Sequence, residues 1–336
     1  MHYRQFGRTG IQVSPLCLGS MLFGGKTPEA ESYTIIDHAL DAGINMIDTA
    51  NVYERGRSET AVGAALKRNG KRAQVVLSTK VWGRMDDHDP NSAGIHRRQI
   101  REQCEASLRR LQTDYIDIYY VHRRMHTIPI DETLRALDDL VHSGKVLFIG
   151  CSTFPAWSVV ESLWVAKEYG LNRFICEQPP YHLLERSIEN ELIPMAQTYG
   201  LALMAWSPLA GGLLTGKYQK SIPEDARIQP GSLWADRHLT PAVMETVSAL
   251  EQLAHEKDCT LSQLALAWCL SKPGITNAIL GARTLEHLTE QLGALDIVLT
   301  EEDQQRIDSI CTPGKTLVSY YYEDSPADFH PAQYHW

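Results

Sequence analysis

Asp48 in NMIDTA, Tyr53 in NVY, Lys80 in VVLSTK and His122 in YIDIYYVH each fall just past an apolar run of the kind that forms a strand. A carboxylate, a phenol, an amine and an imidazole held together can move one proton onto or off an oxygen. An isolated phenol titrates near pH ~10 and is a poor acid at neutral pH. A neighbouring ammonium favours the phenolate and lowers that value, so Lys80 beside Tyr53 would make it a usable general acid. A Lys and an Asp buried at one rim must pair to offset their desolvation, which places Asp48 beside Lys80. His122, in reach of the same oxygen, would orient and polarise a substrate carbonyl. Such a site protonates a developing alkoxide but supplies no hydride, so a redox cofactor must provide one.

Taken singly, each residue has a plainer reading. Asp48 would be an N-cap or turn residue, Tyr53 a packing residue, Lys80 a solvated loop charge and His122 a hydrogen-bonded structural histidine. Their convergence is what argues for chemistry.

The elements that must position them alternate along the chain. Candidate strands are 16–20, 44–50, 75–80, 115–122, 146–153, 173–178, 202–209 and 277–282, continuous apolar runs of the kind found in buried parallel sheets. Helical spacing separates them, as in Ile100, Cys104, Leu108 and Leu111, or Leu134, Leu137, Leu140 and Val141. Eight strands each followed by a helix predict an α/β (β/α)₈ TIM barrel. The competing open doubly wound sheet would carry a Gly-rich dinucleotide fingerprint, and no GxGxxG follows any strand. Barrel active sites lie where the strands end, so Asp48, Lys80, His122, Ser152, Gln178, Ser207 and Arg283 are expected at one rim. Residues 1–15 read as a hairpin around GRTG ahead of the barrel. Stretches 82–95 and 210–241 read as long functional loops, and 312–336 as an ordered tail or lid. Residues 1–336 are expected to form one domain.

The chain has 336 residues and a formal net charge of −9, which disfavours a nucleic-acid partner. There is no signal-peptide core and no apolar stretch long enough to span a membrane, so a cytoplasmic protein without a membrane partner is expected. Seven cysteines, without CxxC or zinc-ligand spacing, read as reduced core residues. His126 follows His122 at metal-pair spacing, but no carboxylate or Cys at ligand spacing joins them, so no metal is expected. Nothing marks an oligomer interface.

IDTANVY, STK, the strand-end His122, GCST (150–153), EQPPY (177–181), WSPLAGGLLTGKY (206–218) and GARTLEHLTEQLGAL (281–295) together resemble the aldo-keto reductase superfamily, including bacterial members and, more distantly, potassium-channel β-subunits. The resemblance implies a (β/α)₈ barrel with an N-terminal hairpin plug, and NADP(H) bound extended across the rim. It implies Tyr53 as general acid, Lys80 lowering its pKa, Asp48 pairing with Lys80, and His122 orienting the carbonyl. Ser152, Thr153 and Gln178 would hold the carboxamide, and Trp206 would stack on the nicotinamide. Ser207, Leu209, Gly211 and Lys217 would contact the pyrophosphate. Further cofactor contacts are implied for Ser20, Met21, Asp48, Arg227, Gly281, Arg283, His287, Glu290 and Gln291. At GART, a strand ending at Ala282, a Thr284 N-cap and the free amides of the next helix suit a phosphate, with Arg283 as bidentate partner. NADP(H) is therefore expected over NAD(H).

Four departures stand out. Thr153 replaces a frequent Asn, His287 and Gln291 replace a usual Gln and Asn near the adenine, and Arg123-Arg124-Met125-His126 changes the substrate-facing loop. Arg123 and Arg124 would suit an anionic substrate group but read first as solvated charge. Trp82 is expected to wall the pocket with Tyr53 and His122; Met21, Phe23, Trp234 and tyrosines 320–322 read as packing. The expected activity is reduction of an aldehyde or ketone, such as a keto-sugar or xenobiotic carbonyl. A cofactor-sensing binding subunit is the alternative, disfavoured by the short N-terminus. A glycosidase would need Asp48 and Glu177 as a pair, but Glu177 should face away from Gln178 across its strand.

Overall fold

The structure, a computed structural model, describes residues 1–219, 222, 224, 226–229 and 231–319. Eight parallel strands close into a barrel: β3 (Leu16–Gly19), β4 (Met46–Asp48), β5 (Val76–Val81), β6 (Ile116–Val121), β7 (Val146–Ser152), β8 (Cys176–Gln178), β9 (Ala202–Ala205) and β10 (Ile275–Leu280). They follow one another around the barrel, and β10 closes on β3 through Ala278 opposite Leu16. The fold expected from the alternating pattern is present.

The helices that cover the barrel are α1 (Glu29–Asp41), α2 (Arg57–Asn69), α3 (Arg97–Leu111), α4 (Ile130–His142), α5 (Ala156–Tyr169), α6 (Leu192–Tyr199), α7 (Leu233–His238), α8 (Pro241–Glu256), α9 (Leu261–Ser271), α10 (Leu285–Leu292) and α11 (Glu301–Ile310). Threonine starts four of them: the hydroxyls of Thr240, Thr260, Thr284 and Thr300 accept the N3 amide of α8, α9, α10 and α11.

Period two sorts every strand into two faces. Cys17, Met46, Ile118, Tyr120, Cys176 and Met204 fill the barrel interior, while Leu16, Leu18, Ile47, Leu77, Tyr119, Val121 and Leu203 pack outward against helices. One end of the interior needs closing. The hairpin β1 (Arg4–Gln5) and β2 (Gln12–Val13) does this by placing Phe6 and Val13 in the same interior cluster, both without exposure. Arg4 pins it by donating to the carbonyls of Leu270 and Ile275 at 3.0 and 3.1 Å.

Some boundaries differ from expectation. β8 begins at Cys176 and not at 173, β9 stops at Ala205, and β10 runs from Ile275 to Leu280, two residues earlier than its apolar run suggested. Pairing decides these limits: β10 meets β9 at Ile275 opposite Leu203, across a bulge that no apolar count reveals. The stretch 210–241 is not a plain loop, since it holds a 3₁₀ turn at Ala210–Thr215 and α7. Residues 312–318 dock on the chain after β8, with the amides of Leu317 and Val318 donating to Leu184 O at 2.9 and 3.0 Å. The rest of the expected tail from 320 on, with tyrosines 320–322 and the Trp234 side chain, lies outside the described residues. No described helix is long and apolar enough to cross a membrane.

Candidate active site

The inward face carries the chemistry. Asp48 lies two residues beyond interior Met46, His122 two beyond Tyr120, Gln178 two beyond Cys176, and Lys80 two beyond Ser78. Parity therefore aims all four into the same end of the barrel. Tyr53 arrives from the turn after β4, at the start of a 3₁₀ segment, Tyr53–Gly56.

Lys80 is the hub. Its ammonium donates to Asp48 Oδ2, to the Thr49 carbonyl at 2.8 Å and to Tyr53 Oη at 3.3 Å. Lys80 and Asp48 are 1% and 3% exposed, so they form a desolvated pair. The second Asp48 oxygen accepts from the Ser78 hydroxyl and from Gln178 Nε2, both at 2.7 Å. The His122 ring stands edge-on to Tyr53, with centroids 5.6 Å apart and planes at 82°.

Burial sets the proton affinities. It pushes the Tyr53 phenol up, and the Lys80 charge opposes this without cancelling it. This corrects the expectation that Lys80 would bring the phenol below its ordinary value: full desolvation outweighs one cation. Burial pulls the Lys80 ammonium down, but Asp48 and Tyr53 overcome it, so the group is held above its usual range. His122 is driven well below the usual histidine value, first by burial and then by the Lys80 and Arg123 charges. At neutral pH the site therefore holds a charged Lys80, a protonated phenol and a neutral imidazole.

A family model of the Aldo/keto reductase family matches residues 15–312. The chain belongs to this family. The reductase is 39% identical to an uncharacterized oxidoreductase, YrpG, of Bacillus subtilis, over 92% of this chain and 96% of that one. It is 38% identical to a probable voltage-gated potassium channel subunit beta of Oryza sativa subsp. japonica, over 92% and 96% of the two chains. A like-named Arabidopsis thaliana protein is 37% identical over 89% and 92%. In outline, then, the protein is a carbonyl-reducing oxidoreductase.

The reductase places the expected cofactor residues unevenly. Ser152, at the end of β7, donates through Oγ to Gln178 O at 3.0 Å, and the Thr153 amide donates to the same carbonyl at 3.1 Å. Thr153 has φ +57°, a strained left-handed turn for a β-branched residue. Gln178 spends its Nε2 on Asp48, so it supports the tetrad as well as the rim. Ser20 is buried and donates to Asp48 O at 3.0 Å, with half-buried Met21 next to it. Half-buried Trp206 bridges to Pro180 beyond β9.

From Ser207 the backbone turns left-handed at Ser207, Ala210, Gly211 and Gly212, the last at φ +101°. The turn folds on itself, with the Gly211 amide donating to Ser207 Oγ at 3.1 Å and the Gly212 amide to Leu209 O at 2.9 Å. A methyl group on Gly212 would lie 2.8 Å from Lys217 Nζ, so the ammonium rests against this turn. Beyond β10, a methyl on Gly281 would meet nothing within 4 Å, leaving an open cradle beside half-buried Arg283 and the capped start of α10. These features fit an extended dinucleotide with phosphates.

Other assignments meet competition. Glu290 Oε1 accepts from the Thr260 hydroxyl, and the exposed His287 turns Nδ1 to Thr284 Oγ1 at 3.2 Å. Gln291 is 5% exposed, and its Oε1 has no partner among the described residues. Exposed Arg227 acts electrostatically on the Tyr53 phenol. Trp82 packs half-buried against the outer core, its carbonyl accepting from Gly94 N at 2.6 Å.

Two supports escaped the sequence reading. Ser78 and the Thr49 carbonyl complete the Asp48–Lys80 pair, and the only sequence signal for Ser78 was its position two before Lys80. Arg124 is not the solvated charge expected, being 2% exposed, whereas Arg123 is half-buried. Glu177 points away from the tetrad, its Oε1 accepting from Phe154 N at 3.1 Å, so it makes no pair with Asp48. All described cysteines are free, and no cluster of three metal-ligating side chains occurs among the described residues.

Proposed function

We propose that this reductase uses NADP(H) to convert an aldehyde or ketone to an alcohol, with Tyr53 as proton donor. The observation that carries this reading is the Lys80 ammonium shared between buried Asp48 and Tyr53 Oη at 3.3 Å. Bound beside this site, the reduced nicotinamide would supply a hydride. Neutral His122 and the protonated Tyr53 phenol then both face the substrate oxygen as hydrogen-bond donors. As negative charge grows on that oxygen, Tyr53 delivers its proton, and the ammonium stabilises the phenolate left behind. Asp48 keeps Lys80 charged and in place, while Ser78 and Gln178 keep Asp48 in place. Ser152, Thr153 and Gln178 would bind the carboxamide, and the turn 207–212 with Lys217 the pyrophosphate. Arg283 at the start of α10 would bind a 2′-phosphate, which favours NADP(H).

The test is NADPH oxidation with a panel of aldehydes, ketones and keto-sugars. Tyr53→Phe should lower kcat by about 10²–10⁴ with NADPH affinity retained. Arg283→Ala should cut the NADPH-over-NADH preference by about tenfold or more, the scale of one charge-assisted pair. Because relatives carry channel-subunit names, tight NADPH binding without turnover of any carbonyl would favour a cofactor-sensing subunit.

A further inference from the structure

Arg123 directly follows His122 where β6 ends. Its Nη1 is buried and has no hydrogen-bond partner among the described residues. No hydrogen bond or ion pair of its guanidinium occurs among those residues at all. Its neighbour shows the contrast. Arg124 donates through Nη1 to the carbonyls of Met125 and Ile128 at 2.6 and 2.9 Å, and its Nη2 lies 3.9 Å from Glu161. One arginine holds the loop together. The other is left over.

A buried donor left without a partner is costly, more so when charged, so such a group calls for an explanation. The tetrad offers it no counter-charge, because both Asp48 oxygens are already engaged by Lys80, Ser78 and Gln178. Arg123 adjoins His122, whose ring stands 5.6 Å from the Tyr53 ring, and its charge is among the influences on that imidazole. A chain of net charge −9 repels anions in general, so an anionic substrate would need a local cation. A planar guanidinium fork matches a carboxylate or a phosphate.

We propose that Arg123 anchors an anionic group, carboxylate or phosphate ester, carried by the carbonyl substrate. This rests on the carbonyl-reductase reading and narrows its substrate class. The anion binds Arg123 while the carbonyl oxygen meets Tyr53 and His122, so the charge sets which end of the molecule is reduced.

Paired aldehydes test it: succinic semialdehyde against butanal, and glycolaldehyde phosphate against glycolaldehyde. In the wild type, kcat/KM for the charged member of at least one pair should exceed its neutral partner by about tenfold or more, the scale of one charge-assisted contact. Which pair shows the preference names the anion. Arg123→Met should collapse that ratio towards unity through KM, and Arg123→Lys should restore part of it. NADPH affinity, read by fluorescence, serves as the check on folding. A wild-type ratio near unity for both pairs, or a ratio unchanged in Arg123→Met, would overturn the proposal. If no aldehyde is reduced, charged or neutral, the reductase reading fails separately. Calorimetric titration with succinate and inorganic phosphate then judges Arg123 alone. Binding lost in Arg123→Met sustains the anion site, and equal binding in both proteins sinks it.

Discussion

Replacing Lys80 with Met tests whether the tetrad is one electrostatic unit. Lys80 and Asp48 side chains are 1% and 4% exposed, so neither charge is hydrated. Removing the ammonium strands the Asp48 carboxylate with only the Ser78 hydroxyl and the Gln178 amide. Breaking one side of a buried pair costs about 3–5 kcal/mol. Asp48→Asn should cost a similar amount, because it leaves the ammonium with only the Thr49 carbonyl and Tyr53 Oη. The double variant holds no stranded charge, so it should fall short of the summed single costs by about 2 kcal/mol or more. Urea unfolding followed by tryptophan fluorescence measures all four proteins, provided the slope stays constant so that midpoint shifts report stability. Single costs below about 1 kcal/mol would match an exposed pair and refute the argument, as would strict additivity. Lys80→Met should also raise the phenol further and lower kcat by about 10²–10⁴.

Other predictions follow from burial. His122 and His182 both sit below the usual histidine value, His182 at about 3 through burial and then the nearby His238 charge. The unfolded chain protonates first, so the stability they contribute is present above pH ~6.5 and is lost as pH falls; for His182 the loss is about 2 kcal/mol at pH ~5. Urea midpoints at the two pH values should show this loss, and it should shrink in His182→Gln. A phenol raised above its ordinary value stays protonated at neutral pH. The reduction rate should therefore be flat through neutrality and fall only at strongly alkaline pH, while alcohol oxidation, which needs the phenolate, should rise with pH; an acid limb for oxidation alone near neutrality would contradict the raised phenol. Gly212→Ala places a methyl group at φ +101° against Lys217 Nζ, a strain of about 1–3 kcal/mol. The NADPH dissociation constant should rise about tenfold, and an unchanged value would show that this turn does not shape the cofactor surface.

Local pattern carried a great deal. Continuous apolar runs exposed the barrel strands, because a strand buried on both faces must be apolar on both. Strand-end position and residue type picked out Asp48, Lys80 and His122, since period two leaves an inward residue two places beyond the last interior one. Thr284 was legible as a cap because capping depends on three adjacent residues. Boundaries were less so: β10 starts at a bulge against β9, and the 3₁₀ turn and α7 within 210–241 form where tertiary contacts replace propensity.

What the sequence determined by itself was the order of the elements, the face each residue occupies and the chemical inventory at the rim. These follow from periodicities that act over a few residues. The tertiary structure alone decided the balances. Tyr53 was expected to be lowered by Lys80, yet burial by distant parts of the chain raises it. Ser78 and Gln178, 30 and 130 residues from Asp48, converge on one of its oxygens. Arg123 and Arg124 are chemically identical neighbours, but only Arg124 finds carbonyls to bind. Desolvation and hydrogen-bond satisfaction are sums over everything that surrounds a group, and those surroundings exist only once the barrel has closed.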